Sequence, residues 1–557
     1  MQKLSSNGLG LHATHKIENQ PSILENYNIY DSDKVLADCI QKSNAEWASD
    51  QLQKLGSVLG SSEFIEHGNL ANNNKPIFHS HDRHGHRIDQ VEYHPSYHQL
   101  FKLTVANGIH SDPWANPKSG AHAARAAKLF MTYQVDQGHI CPTTMTYGCV
   151  PAISRQKEVA DTWLPKIFSN EYDGSFRPIA EKSGATVGMA MTEKQGGSDV
   201  RSNTSTASPI STSGAGKDYL INGHKWFCSA PMSDAFLMLA NTDGGPSCFL
   251  VPRWLPSGEK NNIFIQRLKN KLGDHSNASS EIELRDTFGT LIGDEGRGVS
   301  IIIEMASLTR VDCCLAAASL MRQGAVQALH YTSQRSAFGA LLTEQPIMQK
   351  VLADLILESE ASTRLAIRLA SSYDALDDPF ETSFRRIATA ASKYWLTKRS
   401  IQHTAEAMET LGGIGYVEES ILARLYRQAP VNSIWEGSGN VMCLDVLRAM
   451  QKEPDSIEAL VSELSKSSGM NKHYDKAFEE LKKGLLKPAL LLSNARVFVE
   501  ETALLLQSHM MLGQSEDKSG AELFCQTRLT GSGPSTFGRL PDCSHLEGLI
   551  QRARVQP

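Results

Sequence analysis

Helical periodicity, sustained through a series of long segments and interrupted once by a block of strands, constrains this chain more than any other feature. Apolar residues recur at helical spacing in 299–334, 345–373, 383–411 and 441–450, joined by short turns. Such segments bury their apolar stripes by packing on one another, which favours a helix bundle. Ahead of them, residues 184 to 293 change character. Short β-branched or alternating runs, such as Tyr219-Leu220-Ile221, Ala235 to Ala240, Ser247 to Val251 and Ser280 to Leu284, are punctuated there by Gly, Asn, Asp and Pro, as in a β domain. From Asn44 to Ile167 the pattern is largely helical again, and Ala121 to Gln134 combines strong helix formers with helical apolar spacing.

At 557 residues the chain exceeds one ordinary hydrophobic core. The expected fold class is mainly α with a middle β domain. Its divisions are an N-terminal extension over 1–45, a helical domain over 46–183, a β domain over 184–293, a helix bundle over 294–450 and a C-terminal helical domain over 451–557. The polar, Asn-rich extension is read as an arm able to lie over a neighbouring subunit. In the tail, helices are predicted at roughly 472–485 and 488–513, before a Gly/Ser-rich loop from Thr530 to Thr536. No internal repeat has a fixed period.

Composition excludes several classes of function. With 41% hydrophobic and 21% charged residues and a net charge of -6, the whole chain exerts no pull toward nucleic acid or anionic membrane. Uninterrupted apolar stretches of spanning length, about 18 residues, are lacking, so no membrane span is expected. Ten cysteines without repeated spacing and without CxxC suit a reducing compartment and predict neither a disulfide framework nor a cysteine-based zinc site. Neither Met1 to Asn28 nor the end Arg554-Val555-Gln556-Pro557 carries an evident address, and a cytoplasmic protein is the expectation. His79, His81, His84 and His86, followed by His94 and His98, are interrupted by Asp82, Arg83, Gly85 and Arg87. They are read as a solvated loop, and no metal is predicted.

Chemistry concentrates in Ile434-Trp435-Glu436-Gly437-Ser438-Gly439-Asn440, where an acid stands between an apolar shoulder and a glycine-rich turn. Loss of water raises a carboxylate's pKa toward the range a base needs to take a proton from carbon. The competing reading is a surface turn ahead of the apolar run Val441 to Leu447, with the charge favoured near a helix N-terminus. Four other stretches bear on the choice. In Gly188-Met189-Ala190-Met191-Thr192-Glu193-Lys194-Gln195-Gly196-Gly197-Ser198-Asp199, small residues admit a flat ring or a phosphate, and hydroxyls donate and accept. In Asn222 to Ser229, adjacent aromatics precede a hydroxyl, and strand alternation would point Trp226 and Cys228 away from Phe227 and Ser229. Arg335-Ser336-Ala337-Phe338-Gly339, with Gln345 beyond, offers a guanidinium fork suited to pyrophosphate. Leu411-Gly412-Gly413-Ile414-Gly415-Tyr416 presents bare backbone N–H groups or simply stops a helix.

Taken in order, MTExxGGSD, a lysine-aromatic-hydroxyl strand, RxxFG, LGGxGY and a WEG turn resemble the acyl-CoA dehydrogenase superfamily from about residue 90 to 450. The runs MTEKQGGSDV, NSIWEGSGN, MCLDVLR, HPSYH and CPTTMTY resemble more closely its AidB branch, bacterial proteins of the adaptive response to alkylation damage. The resemblance implies a helical N-terminal domain, a barrel-like β domain and a four-helix bundle, here with an extra C-terminal helical domain, assembled as a homotetramer (a dimer of dimers). It implies bound FAD, contacted by Met189, Ala190, Met191, Thr192, Gly197, Ser198, Phe227, Cys228, Ser229, Arg335, Phe338, Gln345, Gly412, Gly413, Pro430, Ile434, Trp435, Ser438, Gly439 and Asn440. Arg335, Phe338, Gln345, Gly412 and Gly413 would meet the dinucleotide portion of a neighbouring subunit's FAD. Thr192, Ser198 and Glu436 would meet the substrate, an acyl-CoA or another small molecule.

By the same resemblance Glu436 is the base that removes the α-proton of an acyl thioester while the β-hydrogen leaves as hydride to the flavin. Leu308-Thr309-Arg310, where some relatives place their base, holds no acid, and Arg310 is read as structural. Two alternatives stay open. One is a stress-response flavoprotein that binds duplex DNA through the C-terminal domain, with Lys482, Lys483, Lys487, Arg552 and Arg554 as its basic residues. The other is an acyl-binding regulator without turnover.

Overall fold

The computed structural model describes residues 14–486, 488–530, 536–542 and 545–555. Lys487, most of the Gly/Ser-rich loop and the last two residues of the chain lie outside them. Residues 24–42 fold back on their own chain. Leu24, Tyr27, Ile29 and Tyr30 are buried, and the Lys34–Lys42 helix, capped by Asp33 through Leu36 N, packs against the second bundle helix. This stretch is therefore part of the body, because its apolar residues supply enough buried surface to hold it there.

The helical region continues through Ser49–Leu59, Ser62–Asn73, Pro95–Ala106, Ala121–Tyr133, Ile140–Ile153 and Lys157–Ile167. Ala121–Tyr133 and Ile140–Ile153 are buried almost all round. Both pack against Gly298–Thr332, the first helix of the bundle. The histidine-rich segment is an antiparallel hairpin of Ile77–His81 and Arg87–Glu92 instead of an irregular loop. His79 there pairs with Glu92 at 2.9 Å and His86 with Asp82 at 3.0 Å.

In the β domain, strand Ala235–Thr242 pairs in parallel with Val187–Ala190 and Thr206–Pro209, and in antiparallel with Gly245–Pro252. Thr206–Pro209 continues to Asp218–Ser229, then to Ser279–Ile292 and back to Gly245–Pro252. Five strands thus close into a barrel, which leaves no open edge along that path.

The bundle comprises Gly298–Thr332, Pro346–Ser371, Pro379–Thr410 and the pair Ile421–Asn432 and Gly439–Lys452. Helix Ile421–Asn432 is not among the predicted segments, because Arg424, Arg427, Gln428 and Pro430 dilute its apolar pattern. The tail holds Asp455–Ser465, Lys472–Leu485, Pro488–Leu491, Ala495–Gln514, Lys518–Arg528 and Leu546–Ala553, so the predicted 488–513 helix is broken near residue 492. One apolar core runs from Leu24 to Val555.

Candidate active site

Glu436 sits between the end of helix Ile421–Asn432 and the start of Gly439–Lys452, with its backbone in the left-handed region at φ 59°. That conformation costs a non-glycine residue roughly 1–2 kcal/mol and persists only where the surroundings impose it. Three side chains from two bundle helices impose it here. Thr309 Oγ1 donates to Glu436 Oε2 at 2.8 Å. Arg310 Nε donates to the backbone oxygen of Glu436 at 2.8 Å and its Nη1 reaches Asp445 at 2.9 Å. From the third bundle helix, Lys393 Nζ donates to the carbonyls of Trp435, at 2.7 Å, and Gly437. Gly437 has φ 108°, and a β-carbon there would stand 2.4 Å from Met442 Cε.

Burial pushes the Glu436 carboxyl above its ordinary range, and the Thr309 hydrogen bond and the charges of Arg310 and Lys393 offset only part of that rise. Lys393 is itself buried, which lowers its pKa. The carboxylate is bound to the bundle through Thr309 and not to the amides of the helix that follows. A surface cap would do the reverse.

The β domain supplies the facing wall. Met189 and Ala190 are buried on strand Val187–Ala190, Met191 and Thr192 are half-buried, and Gly197 and Ser198 are exposed. Met189, Met191 and Trp435 join one apolar cluster with Cys141, Met145 and Met305, which brings the MTE strand to the WEG turn. Trp226 N donates to Thr192 O at 2.8 Å. A β-carbon at Gly197 would stand 2.4 Å from Thr192 Oγ1, so the double-glycine turn closes over that hydroxyl.

The turn is anchored by Glu193, a residue assigned no role from sequence. Its carboxylate is fully buried and accepts from Lys225 Nζ at 2.8 Å, Thr204 N at 2.7 Å and Ser205 N at 3.2 Å. Burial alone would raise its pKa, but Lys225 and these donors hold it below the carboxylate range.

A bulge between Lys225 and Cys228 changes the expected alternation. Lys225 and Cys228 both point into the core, while Trp226 is half-buried and Phe227 is 51% exposed. Lys269 Nζ lies 3.4 Å from the Trp226 ring centroid and 4.7 Å from that of Phe227. The Cys228 side chain is thereby turned away from Phe227, and its thiol is pushed up to about 12 by burial. Ser229 Oγ lies 3.0 Å from Ser279 Oγ.

Arg335, Phe338 and Gln345 belong to a second group. Ser336–Ala337 and Ala340–Leu341 form a short hairpin with Phe338 and Gly339 at its tip, both at positive φ, and Phe338 is wholly exposed. Gln345 Nε2 holds the hairpin by donating to Ala337 O at 2.9 Å. Gly412 and Gly413 are exposed, with nothing within 4 Å of an added β-carbon. Around the WEG turn, Pro430, Trp435 and Ser438 are half-buried, Ile434 is exposed and Gly439 is buried. Asn440 is exposed and accepts from Arg496 Nε at 2.9 Å.

The matches along the chain follow the same order as its domains. Residues 19–174 match the adaptive response protein AidB N-terminal domain, 188–287 the acyl-CoA dehydrogenase middle domain and 296–451 the acyl-CoA dehydrogenase C-terminal domain. The chain belongs to the acyl-CoA dehydrogenase family, in its AidB branch. It is 44% identical to AidB of Escherichia coli (strain K12) across 86% of this chain and 88% of that one. It is 31% identical to acyl-CoA dehydrogenase family member 11 of Caenorhabditis elegans, across 81% of this chain and 74% of that one. Caenorhabditis elegans ACDH-11, solved in complex with C11-CoA, superposes with a TM-score of 0.84 at 25% identity, covering 92% of this chain and 93% of that one.

Two further features bear on this acyl-CoA dehydrogenase family member. A cavity of about 270 Å³ opens between the N-terminal and β domains, lined by Tyr93, Tyr97, Phe101, Tyr172 and Met232. None of the predicted site residues lines it. Of the tail's candidate basic residues, Lys482 and Lys483 pair with Glu479 and Glu480, and Arg552 pairs with Glu360 and Asp517. No helix of the described residues is long and apolar enough to cross a membrane. Among them no group of three or more His, Cys, Asp or Glu is placed to hold a metal ion.

Proposed function

We propose that this chain is an FAD-dependent oxidoreductase acting on an acyl thioester, with Glu436 as the base. The observation that carries the reading is the constrained Glu436 turn: a half-buried carboxyl of raised pKa, held at a left-handed backbone by Thr309, Arg310 and Lys393. A base that must accept a proton from carbon needs both the raised pKa and a fixed position, and this turn supplies both.

The residues suit FAD. Phe227 offers an exposed ring face, Thr192 and Ser229 offer hydroxyls, and Gly412 and Gly413 leave backbone open to a close approach. Arg335 supplies a guanidinium for the pyrophosphate. Bound FAD provides the two-electron acceptor for the hydrogen lost from the β-carbon. Glu436 takes the α-proton on a carboxylate oxygen. Thr309 keeps that carboxylate oriented, and the Met189, Met191 and Trp435 cluster excludes water behind it. Exposed Phe338 and Tyr416 support assembly as a homotetramer.

The test is an anaerobic titration of the purified yellow protein with acyl-CoAs of graded length. Flavin absorbance should bleach with at least one chain length, and Glu436→Gln should stay oxidised with the same thioester. A wild-type protein that bleaches with none of the panel overturns the dehydrogenase reading. The duplex-DNA alternative requires affinity that falls steeply with salt, and the acid partners of Lys482 and Lys483 weigh against it.

A further inference from the structure

We infer that Asn19, in the segment leading into the helical domain, is a positioning residue for the hairpin that presents Arg335 and Phe338. The inference rests on the reading that this hairpin contacts FAD. Asn19 meets the hairpin with every polar group it can direct there. Its Nδ2 donates to Ser336 O at 2.7 Å, its Oδ1 accepts from Ser336 N at 2.8 Å, and its backbone oxygen accepts from Arg335 Nη1. The side-chain amide thus reads Ser336 as a paired strand would, with one donor and one acceptor on the same residue. Its backbone is left-handed, at φ 55°, which Asn tolerates better than most side chains.

The contact spans more than three hundred residues of sequence and is backed by a second one close by. Ser22 N and Oγ both donate to Gln334 Oε1 at 3.1 Å, and Ser22 O lies 2.9 Å from His330 Nε2. The hairpin has little else to hold it. Its strands are two residues each, its tip is Phe338-Gly339, and Gln345 grips its opposite side through Ala337 O. Arg335 keeps four of its five donors after meeting Asn19 O. Asn19 therefore aims the guanidinium without consuming its capacity for an anion.

Three variants separate the parts. Asn19→Gly keeps the left-handed backbone and removes the amide, Asn19→Asp keeps the acceptor and loses the donor, and Arg335→Ala removes the group being aimed. FAD release from the full-length holoprotein, followed by flavin fluorescence on dilution, should show about tenfold looser binding for Asn19→Gly, the loss expected for a pair of modest hydrogen bonds. Asn19→Asp should recover part of it. In Arg335→Ala the Asn19→Gly change should have a smaller effect than in the wild type, since Arg335 is part of what Asn19 positions through Ser336. Thermal midpoint should hold, and hydrogen exchange at the Ser336 amide should quicken in Asn19→Gly. If wild type and Asn19→Gly hold FAD equally, the inference is overturned while the flavin reading stands. If the wild-type protein takes up no FAD, the flavin reading falls, and this inference with it.

Discussion

Glu436 concentrates the argument at the scale of single residues, because the features proposed to make it a base are local and each can be removed alone. Thr309 stabilises the ionised carboxylate by hydrogen bonding. Thr309→Val therefore removes an influence that lowers the Glu436 pKa, and the acid limb of a kcat/KM profile against pH should move to higher pH. A limb that stays put or moves down would break the assignment. The left-handed backbone offers a separate check. Glu436→Gly relieves it and Glu436→Ala does not, so the glycine variant should be the more stable by about 1 kcal/mol in urea unfolding. Glu436 stood out in the sequence for its glycine-rich surroundings, and its reading as the base came from the order of the other motifs and the resemblance they carry. Thr309 was marked only by the resemblance, as part of the stretch where some relatives place their base, and Lys393 was not marked at all, because it lies on a helix remote in sequence and no local spacing makes it a neighbour of the turn.

Among the elements, the MTE loop shows how a flexible-looking sequence is held rigid. Glu193 and Lys225 are buried together, and removing one partner leaves the other charged and unpaired in the core. Lys225→Met should cost about 3–5 kcal/mol, and pairing it with Glu193→Gln should recover part of that loss, read from denaturant unfolding of both proteins. The strand that follows was legible as a strand whose adjacent aromatics face opposite ways. Its bulge was not, since alternation assumes regular pairing and an extra residue resets which side chains face inward. Helix Ile421–Asn432 escaped for a different reason. It is only twelve residues long, and Arg424, Arg427, Gln428 and Pro430 interrupt its apolar face.

For the whole molecule, the tail is bound to the bundle by a shared apolar core and by buried charge. Asp354, Glu358 and Glu360 are buried on the second bundle helix. Glu358 accepts from Arg528 and Gln507 of the tail and from Arg399 of the bundle. Burial opposes its ionisation, but the two arginines outweigh that and hold it at about 2. Asp354 meets Arg528 and Gly538 N, and Glu360 meets Arg552 and Ser515. A chain ended after residue 453 would leave these acids without their tail partners, so it should lose cooperative unfolding and a single elution position in size-exclusion chromatography. A truncated chain that stays folded and binds FAD would show that the tail is a separable domain. Sequence by itself determined the class of each region and the order of the motifs, because periodicity and glycine placement are local properties. Only the tertiary structure decided which distant cations and hydroxyls hold Glu436, and that residues 24–42 and the described part of the tail belong to one body. Those outcomes depend on buried apolar surface and desolvated charges finding partners from about forty to more than three hundred residues away, and no spacing along the chain records that.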